Sequence, residues 1–533
     1  MLRLLLARAR RDRVIVPVWV AATALLAYAG AAGVQTEFPT DADRGAVLQI
    51  AVVTPSLLAL RGLPDGATLG AYVYFQVFCY LAIMAALMST FLVTRHSRAD
   101  EERGRLELVG ATAVGRAAPL AATLAWGVLA NAALAVLVAL GLQGGGLPAQ
   151  GSWAAGLATG ATGLAFVGVA AVVAQLAPTS RGANGTSAAL VGVAFVLRAV
   201  GDATGTPDPD AITVTSAWPS WLSPIGWGQH VFAFTRADLA PLLLSVALAV
   251  VSAAAALAAQ SRRDLGSSVL RERSGRAEGR ITSSIGLAWR LQWPSVVGWA
   301  VGGLVLGSLA GTLSGSIVSA GDLSAQLQRI LELFIPGGKG QLTDMLVIAV
   351  VGVAGILAAF AGAQAVIRAR GEEADGRAEL VLAAPVTRAG WLLGYVLVAL
   401  VSAAAVALAA GLGAGLSFVA AGDPDRFGSS LAAGVAQLPA AFAFTAVTAL
   451  VFAVLPRLTV AAGWGLVSLG AFVGQFGALV GLPDAVRDAS PFAHTPQVPG
   501  ADADWGPALV VTAVSVVVVA ISVLALRRRQ LTA

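Results

Sequence analysis

Apolar residues run along this chain in long blocks, and short polar stretches between the blocks gather nearly all of its charge. A helix needs about 20 apolar residues to cross a hydrocarbon layer of about 30 Å. Blocks of that length predict spans near 14–34, 72–94, 118–141, 153–176, 183–201 and 240–260. A second set follows near 296–317, 344–367, 390–415, 430–455, 460–482 and 506–526. The fold expected is therefore all-α and integral to a membrane, with about twelve transmembrane helices. Many blocks are rich in Ala, Gly and Val, the small residues that let helices approach closely in lipid. Composition agrees: 57% of residues are hydrophobic, 12% are charged, and the mean hydropathy is +0.80.

Arginine sets the expected orientation. With the N-terminus inside and the spans alternating, 26 of the 34 basic residues fall in inside segments. Arg3 to Arg13, Arg95 to Arg116, Arg262 to Arg290, Arg368 to Arg388 and Arg527 to Arg529 supply most of them. That is the positive-inside pattern, with both termini cytoplasmic. The basic balance then reflects topology, which leaves no role for nucleic acid. Cys79 is the single cysteine and lies within the second span, so neither a disulfide nor a cysteine metal cluster is available.

Residues 98–116 and 370–388 match without a gap at ten of nineteen positions. The shared residues include Arg98/Arg370, Glu101/Glu373, Gly104/Gly376, Arg105/Arg377, Glu107/Glu379 and Arg116/Arg388, and Asp100 faces Glu372 in the same register. Each copy follows the second span of its half. Six spans per half is an even number, so the sequence predicts two parallel six-helix repeats. The first covers 1–260 and the second 296–533, with a cytoplasmic linker over 261–295. Topology requires only positive charge, yet these loops keep acids at matching positions. Paired charge of both signs suits docking to a polar partner, with Leu106 and Leu108, or Leu380 and Leu382, available to pack inward. The glycine before each Arg-x-Glu allows a turn.

The energy source has to be external. All 29 acidic residues fall at span ends or in loops, whereas ion-coupled carriers keep ionisable groups within the membrane. The nearest to an intramembrane charge is Arg198, placed to snorkel or to pair with Asp202. Inside the spans the polar residues are neutral: Gln76, Asn131, Gln175, Gln364, Gln437 and Gln475, which are expected to join helices by hydrogen bonds. A phosphate-binding loop is missing from Pro336-Gly337-Gly338-Lys339-Gly340, the surroundings of the one lysine. A membrane-embedded transferase would need clustered acids. Asp202, Asp208, Asp210, Asp423 and Asp425 instead read as solvated turns.

These residues carry a family likeness. Glu-Glu-x-x-Gly-Arg-x-Glu-Leu, Pro385-Val386-Thr387-Arg388, Val196 to Asp202, Trp221 to Trp227, Arg262 to Gly266 and Ser490 to His494 are the matching segments. Over nearly its whole length the chain resembles the permease subunits of bacterial ABC exporters of the polyketide antibiotic and multidrug type, within the type-2 export permeases. The first loop departs from the pattern, with Ala113 where the second has Pro385. The resemblance implies export of apolar drugs or antibiotics across a bacterial plasma membrane. It implies a paired ABC ATPase subunit on the cytoplasmic side that binds ATP and Mg, so this chain carries neither cofactor nor catalytic site. It assigns coupling to Arg98, Asp100, Glu101, Gly104, Arg105, Glu107, Arg116, Arg370, Glu372, Glu373, Gly376, Arg377, Glu379 and Arg388. It also implies interfacial helices at 1–13 and 285–293, and a re-entrant or interfacial element over 213–238. The competing class is a proton-coupled drug antiporter.

Overall fold

The computed structural model describes residues 2–111, 115–208, 212–264, 268–269, 279, 281–318, 342–475, 482–499 and 503–530. Lys339 with its glycines, and most of the linker between 265 and 280, lie outside the described residues. Among those described, twelve helices are long and apolar enough to cross a bilayer. The chain is an all-α, multi-pass membrane protein. It divides into two compact units, Met1–Gly275 and Arg276–Ala533.

The first unit begins with α1 (Leu2–Arg11), α2 (Ile15–Glu37), α3 (Asp41–Val52), α4 (Pro55–Arg61) and α5 (Leu69–His96). Then come α6 (Arg98–Glu102), α7 (Arg105–Gly110), α8 (Ala118–Gly144), α9 (Ala149–Leu176), α10 (Ser180–Ala203), α11 (Pro224–Gln229) and α12 (Leu242–Arg262). Helices α5 and α9 form the interior, with α2 and α10 against α5 and α12 against α9. The peripheral helices turn Val18, Leu25, Val193, Val196, Leu243 and Val250 outward. Such faces would be an aggregation hazard in water and are what lipid requires. Glycines allow α9 to touch the α8 backbone: a Cβ built on Gly156 would lie 2.3 Å from the Ala135 carbonyl oxygen.

The second unit has α13 (Ser284–Val318), α14 (Leu342–Ala374), α15 (Arg377–Leu382), α16 (Arg388–Ala420) and α17 (Arg426–Ala436). It ends with α18 (Leu438–Val454), α19 (Thr459–Gln475), α20 (Asp484–Arg487) and α21 (Gly506–Arg528). Gly303, Gly307 and Gly311, four residues apart on α13, face α16. A Cβ on Gly307 would stand 1.9 Å from the Ala410 carbonyl oxygen. Neutral polar side chains do bridge helices in both units. Asn131 Nδ2 donates to Ser89 Oγ at 2.9 Å, and Trp299 Nε1 donates to Gln364 Oε1 at 2.6 Å.

Two boundaries differ from the sequence expectation, and a third runs beyond the described residues. Residues 285–293 are not a separate interfacial helix but the first turns of α13, which continues through Pro294. In the first unit the chain does break, at 12–14, where Asp12 turns its carboxylate inward; 285–293 contain no corresponding acid. The block 430–455 is two helices meeting at Gln437, because Pro439 stands at the start of α18, where its missing N–H leaves no bond unmade. Span 460–482 is described as far as Gln475, and 476–481 lie outside the described residues.

Candidate functional site: two charged elbows

Each repeated loop folds as an elbow. A long helix gives way to a left-handed glycine, Gly104 at φ 67° or Gly376 at φ 72°, and the six-residue helix α7 or α15 follows. A side chain at that φ is strained, which accounts for glycine at both turns.

The acids of the elbows are mostly fastened within their own unit. Glu101 accepts a bond from Arg98 Nη1 at 2.8 Å and a second from Arg263, just beyond α12. Arg263 also donates to Gln175 Oε1 at 2.7 Å, and Arg98 Nε donates to the Pro178 carbonyl at 3.0 Å. The second elbow repeats this plan. Glu373 accepts from Arg529 Nη2 at 2.6 Å, with Arg370 at 3.8 Å, and Arg529 Nη1 donates to the Phe452 carbonyl at 2.7 Å. Asp100 bridges Arg11 at 2.6 Å and Arg105 at 3.2 Å. Glu372 correspondingly holds Arg377 at 2.7 Å and also pairs with Arg368. The hydrogen bond that Arg377 donates to Glu372 raises its guanidinium pKa above the usual value. Both elbows are therefore tied to the far end of the unit's last described span, through Arg263 or Arg529. Arg116 lies 3.7 Å from Asp264, and Arg388 donates to the Arg529 carbonyl oxygen.

What remains outward is narrow. Glu107 and Glu379 are exposed, as are Leu108 at 74% and Leu380 at 77%. Leu106 is buried and Leu382 is half-buried, so only one leucine of each expected pair packs inward. A helix of six residues presents two faces, and Leu106 and Leu108 fall on opposite ones.

Two further buried clusters brace the first unit. Near the elbow, the Asp12 carboxylate is enclosed by His96 Nε2 at 2.5 Å, Trp126 Nε1 at 3.0 Å and Arg95 Nε at 3.1 Å. Burial acts to raise the Asp12 pKa, but the bonds from His96 and Trp126 and the charge of Arg95 outweigh it and leave the carboxyl below its usual range. At the other end, Arg198 and Asp202 are both completely buried and 3.1 Å apart. Arg198 also donates to the carbonyls of Leu58 at 3.3 Å and Ala59 at 2.5 Å, while Gln229 donates to Asp202 at 2.7 Å. Asp202 is thus no solvated turn. Arg198, Gln229 and Ser220 replace its water.

The comparisons with known proteins point one way. The family described as "Multidrug efflux system permease Rv1217c, C-terminal domain" matches residues 281–527. The "Multidrug efflux system permease protein Rv1217c" of Mycobacterium tuberculosis (strain ATCC 25618 / H37Rv) is 34% identical over 531 residues, covering 98% of this chain and 93% of that protein. This chain belongs to that permease family.

In this permease the structure draws Arg98, Asp100, Glu101, Gly104, Arg105 and Glu107 into one elbow, and Arg370, Glu372, Glu373, Gly376, Arg377 and Glu379 into the other. Arg116 and Arg388 begin the following spans. Sequence reasoning missed Asp12, His96 and Trp126, although a lone acid among the N-terminal arginines was a usable signal. The basic residues after the sixth and twelfth spans count in the sequence only as inside charge, with no sign that Arg263 and Arg529 clamp the two glutamates.

The segment expected as re-entrant or interfacial, 213–238, lodges a turn between α5 and α9. Tyr74 Oη donates to the Gly228 carbonyl at 2.7 Å, and Thr162 Oγ1 donates to that of Pro224 at 3.3 Å. His230 is buried there, its Nδ1 2.6 Å from the Gly226 carbonyl and its Nε2 2.8 Å from Ser216 Oγ. Burial pushes the His230 pKa below its usual 6.5, against the opposing pull of the Gly226 carbonyl. The folded segment therefore favours neutral imidazole. Its contribution is whole above the unfolded pKa and is lost as pH falls from there through the lower folded value. Tryptophan-detected melting of the purified permease should weaken between about pH 7.5 and about pH 5.5, and H230Q should flatten that dependence. An equal dependence in H230Q would assign the titration to another group.

Proposed function

We propose that this permease is the membrane-spanning part of an efflux system that exports apolar drugs or antibiotics, powered by ATP hydrolysed on a separate, paired ABC ATPase subunit. Membership in a family whose relative is named a multidrug efflux permease supports the export reading. The observation that carries the coupling is the pair of elbows: the same glycine turn, the same internal clamp, and the same outward Glu and Leu on each. A clamped elbow can transmit force, because its acids join it to both the second and the sixth span of the unit. Glu107, Leu108, Glu379 and Leu380 then form the contact with the ATPase, which binds ATP and Mg²⁺ on its own residues. The arginine pattern supports a cytoplasmic position for both elbows and both termini.

Charge reversal tests this. E107R/E379R should insert and fold normally, because both side chains are exposed. ATP-driven drug export should fall at least tenfold, in line with the several kcal/mol that a like-charge juxtaposition costs at an interface. Undiminished export by the double variant would remove the elbows from the coupling path.

One observation favours a second reading, a proton-coupled antiporter: Asp202 is a fully buried carboxylate beside a cation. Intramembrane ionisable groups of that kind serve proton relays. Proteoliposomes holding the permease alone decide between the two. Drug uptake driven by a pH gradient without any ATPase would favour the antiporter.

A further inference from the structure

Beside the first elbow, α2 and α10 stand apart over α5 and leave a cleft of about 640 Å³. Its lining has two halves. Arg11, Arg95, Arg103 and Arg105 contribute the polar one, and Asp12 is the one carboxylate among the described lining residues. The other half is apolar, with Trp19 and Phe91 side by side at 6.4 Å between ring centroids. Phe91 is 37% exposed, so this wall opens towards the surroundings of the helices.

The charges are unequally satisfied. Asp12 is already held by His96, Trp126 and Arg95. Arg11 and Arg105 share the single carboxylate of Asp100. Arg103 is exposed and makes no ion pair among the described residues. The cleft thus presents net positive charge with donors to spare, directly continuous with an aromatic slot. A free phosphate would use the first half and leave the second empty, whereas a neutral apolar drug would do the reverse. An amphiphile with an anionic head uses both. Guanidinium groups bond phosphate oxygens in a planar fork, and basic pockets between membrane helices take anionic lipid heads.

We propose that this cleft holds an anionic phospholipid of the inner leaflet, its phosphate at Arg103 and Arg105 and its acyl chain along Trp19 and Phe91. The leaflet rests on the orientation proposed above. A lipid seated there binds the elbow at Arg103 and Arg105, and so links membrane composition to the stiffness of the coupling loop.

The test uses the detergent-solubilised full chain and native mass spectrometry with equal amounts of phosphatidylglycerol and phosphatidylcholine. The wild type should retain one phosphatidylglycerol in preference. R103Q should weaken retention roughly fivefold, and R103Q/R105Q by a similar factor again. Arg103 is exposed, so R103Q keeps the fold even if the double variant does not. R527Q/R528Q, which removes two exposed arginines of the second unit, should retain the lipid as the wild type does. Equal retention of the two lipids overturns the proposal, as does equal loss in R103Q/R105Q and R527Q/R528Q. Displacement of the lipid by inorganic phosphate would make this a free-anion site and also overturns it. None of these readouts requires the ATPase, so a failure of ATP coupling leaves them unchanged. A wrong orientation would appear separately, as trypsin cleavage at Arg103 from outside intact cells.

Discussion

Replacing Asp202 with alanine should destabilise the first unit by about 3–5 kcal/mol, the cost of leaving a buried charge without its partner. The Arg198 guanidinium would keep the Leu58 and Ala59 carbonyls but lose its counter-charge, with no water to replace it. Gln229 would lose one of its two acceptors in the same step and keep only Ser220 Oγ, loosening the turn held between α5 and α9. For a unit of this size the melting temperature should fall by roughly 6–20 °C, read by thermal unfolding in detergent. R198M/D202L, which removes both charges, should recover part of that loss, since replacing a buried pair by apolar groups is often near neutral. A shift under about 2 °C in the single variant would mean that water reaches the pair.

The second large effect is expected at the elbow clamps. E373A would leave Arg529 and Arg370 close together with no carboxylate between them, Glu373 being 2% exposed at present. The cost should be about 3 kcal/mol, concentrated where Arg529 follows α21. Trypsin should then cut the run Arg527-Arg528-Arg529 at least tenfold faster, because cleavage tracks the population of the opened end. E101A should act likewise on Arg262 and Arg263, and the two effects should add because the clamps lie in separate units. An unchanged cleavage rate in E373A would show that Phe452 and Arg388 hold Arg529 without the carboxylate. Export should fall in both variants, since each elbow would have lost its link to the last described span of its unit.

Much of the elbow was legible in the sequence. Gly104 and Gly376 stand at one offset in a matched charge pattern, and a left-handed turn can be read from glycine alone. Which charges face a partner was not legible. Glu101 and Glu107 are alike as letters; the side chain of one is buried where Arg263 reaches it from 162 residues away, and the other is exposed with no ion pair among the described residues. Leu108 and Leu380 were misplaced for a related reason. A helix of six residues has too few turns for its periodicity to identify the buried face. The interfacial helix expected at 285–293 failed because amphipathic composition does not encode a break in the chain. In the first unit the break coincides with a pocket for Asp12 built by His96, Arg95 and Trp126.

The sequence by itself determined the class of fold and the number and approximate places of the spans. Lipid thickness converts block length directly into helices, and no partner is needed to make that conversion. It also determined the elbow turns, because backbone sterics are local. Only the tertiary structure decided that Asp202 is buried, that four acids serve as internal clamps, and that two glutamates and two leucines remain outward. The fate of a charge depends on desolvation and on partners supplied by distant segments, and these exist only once the helices have packed.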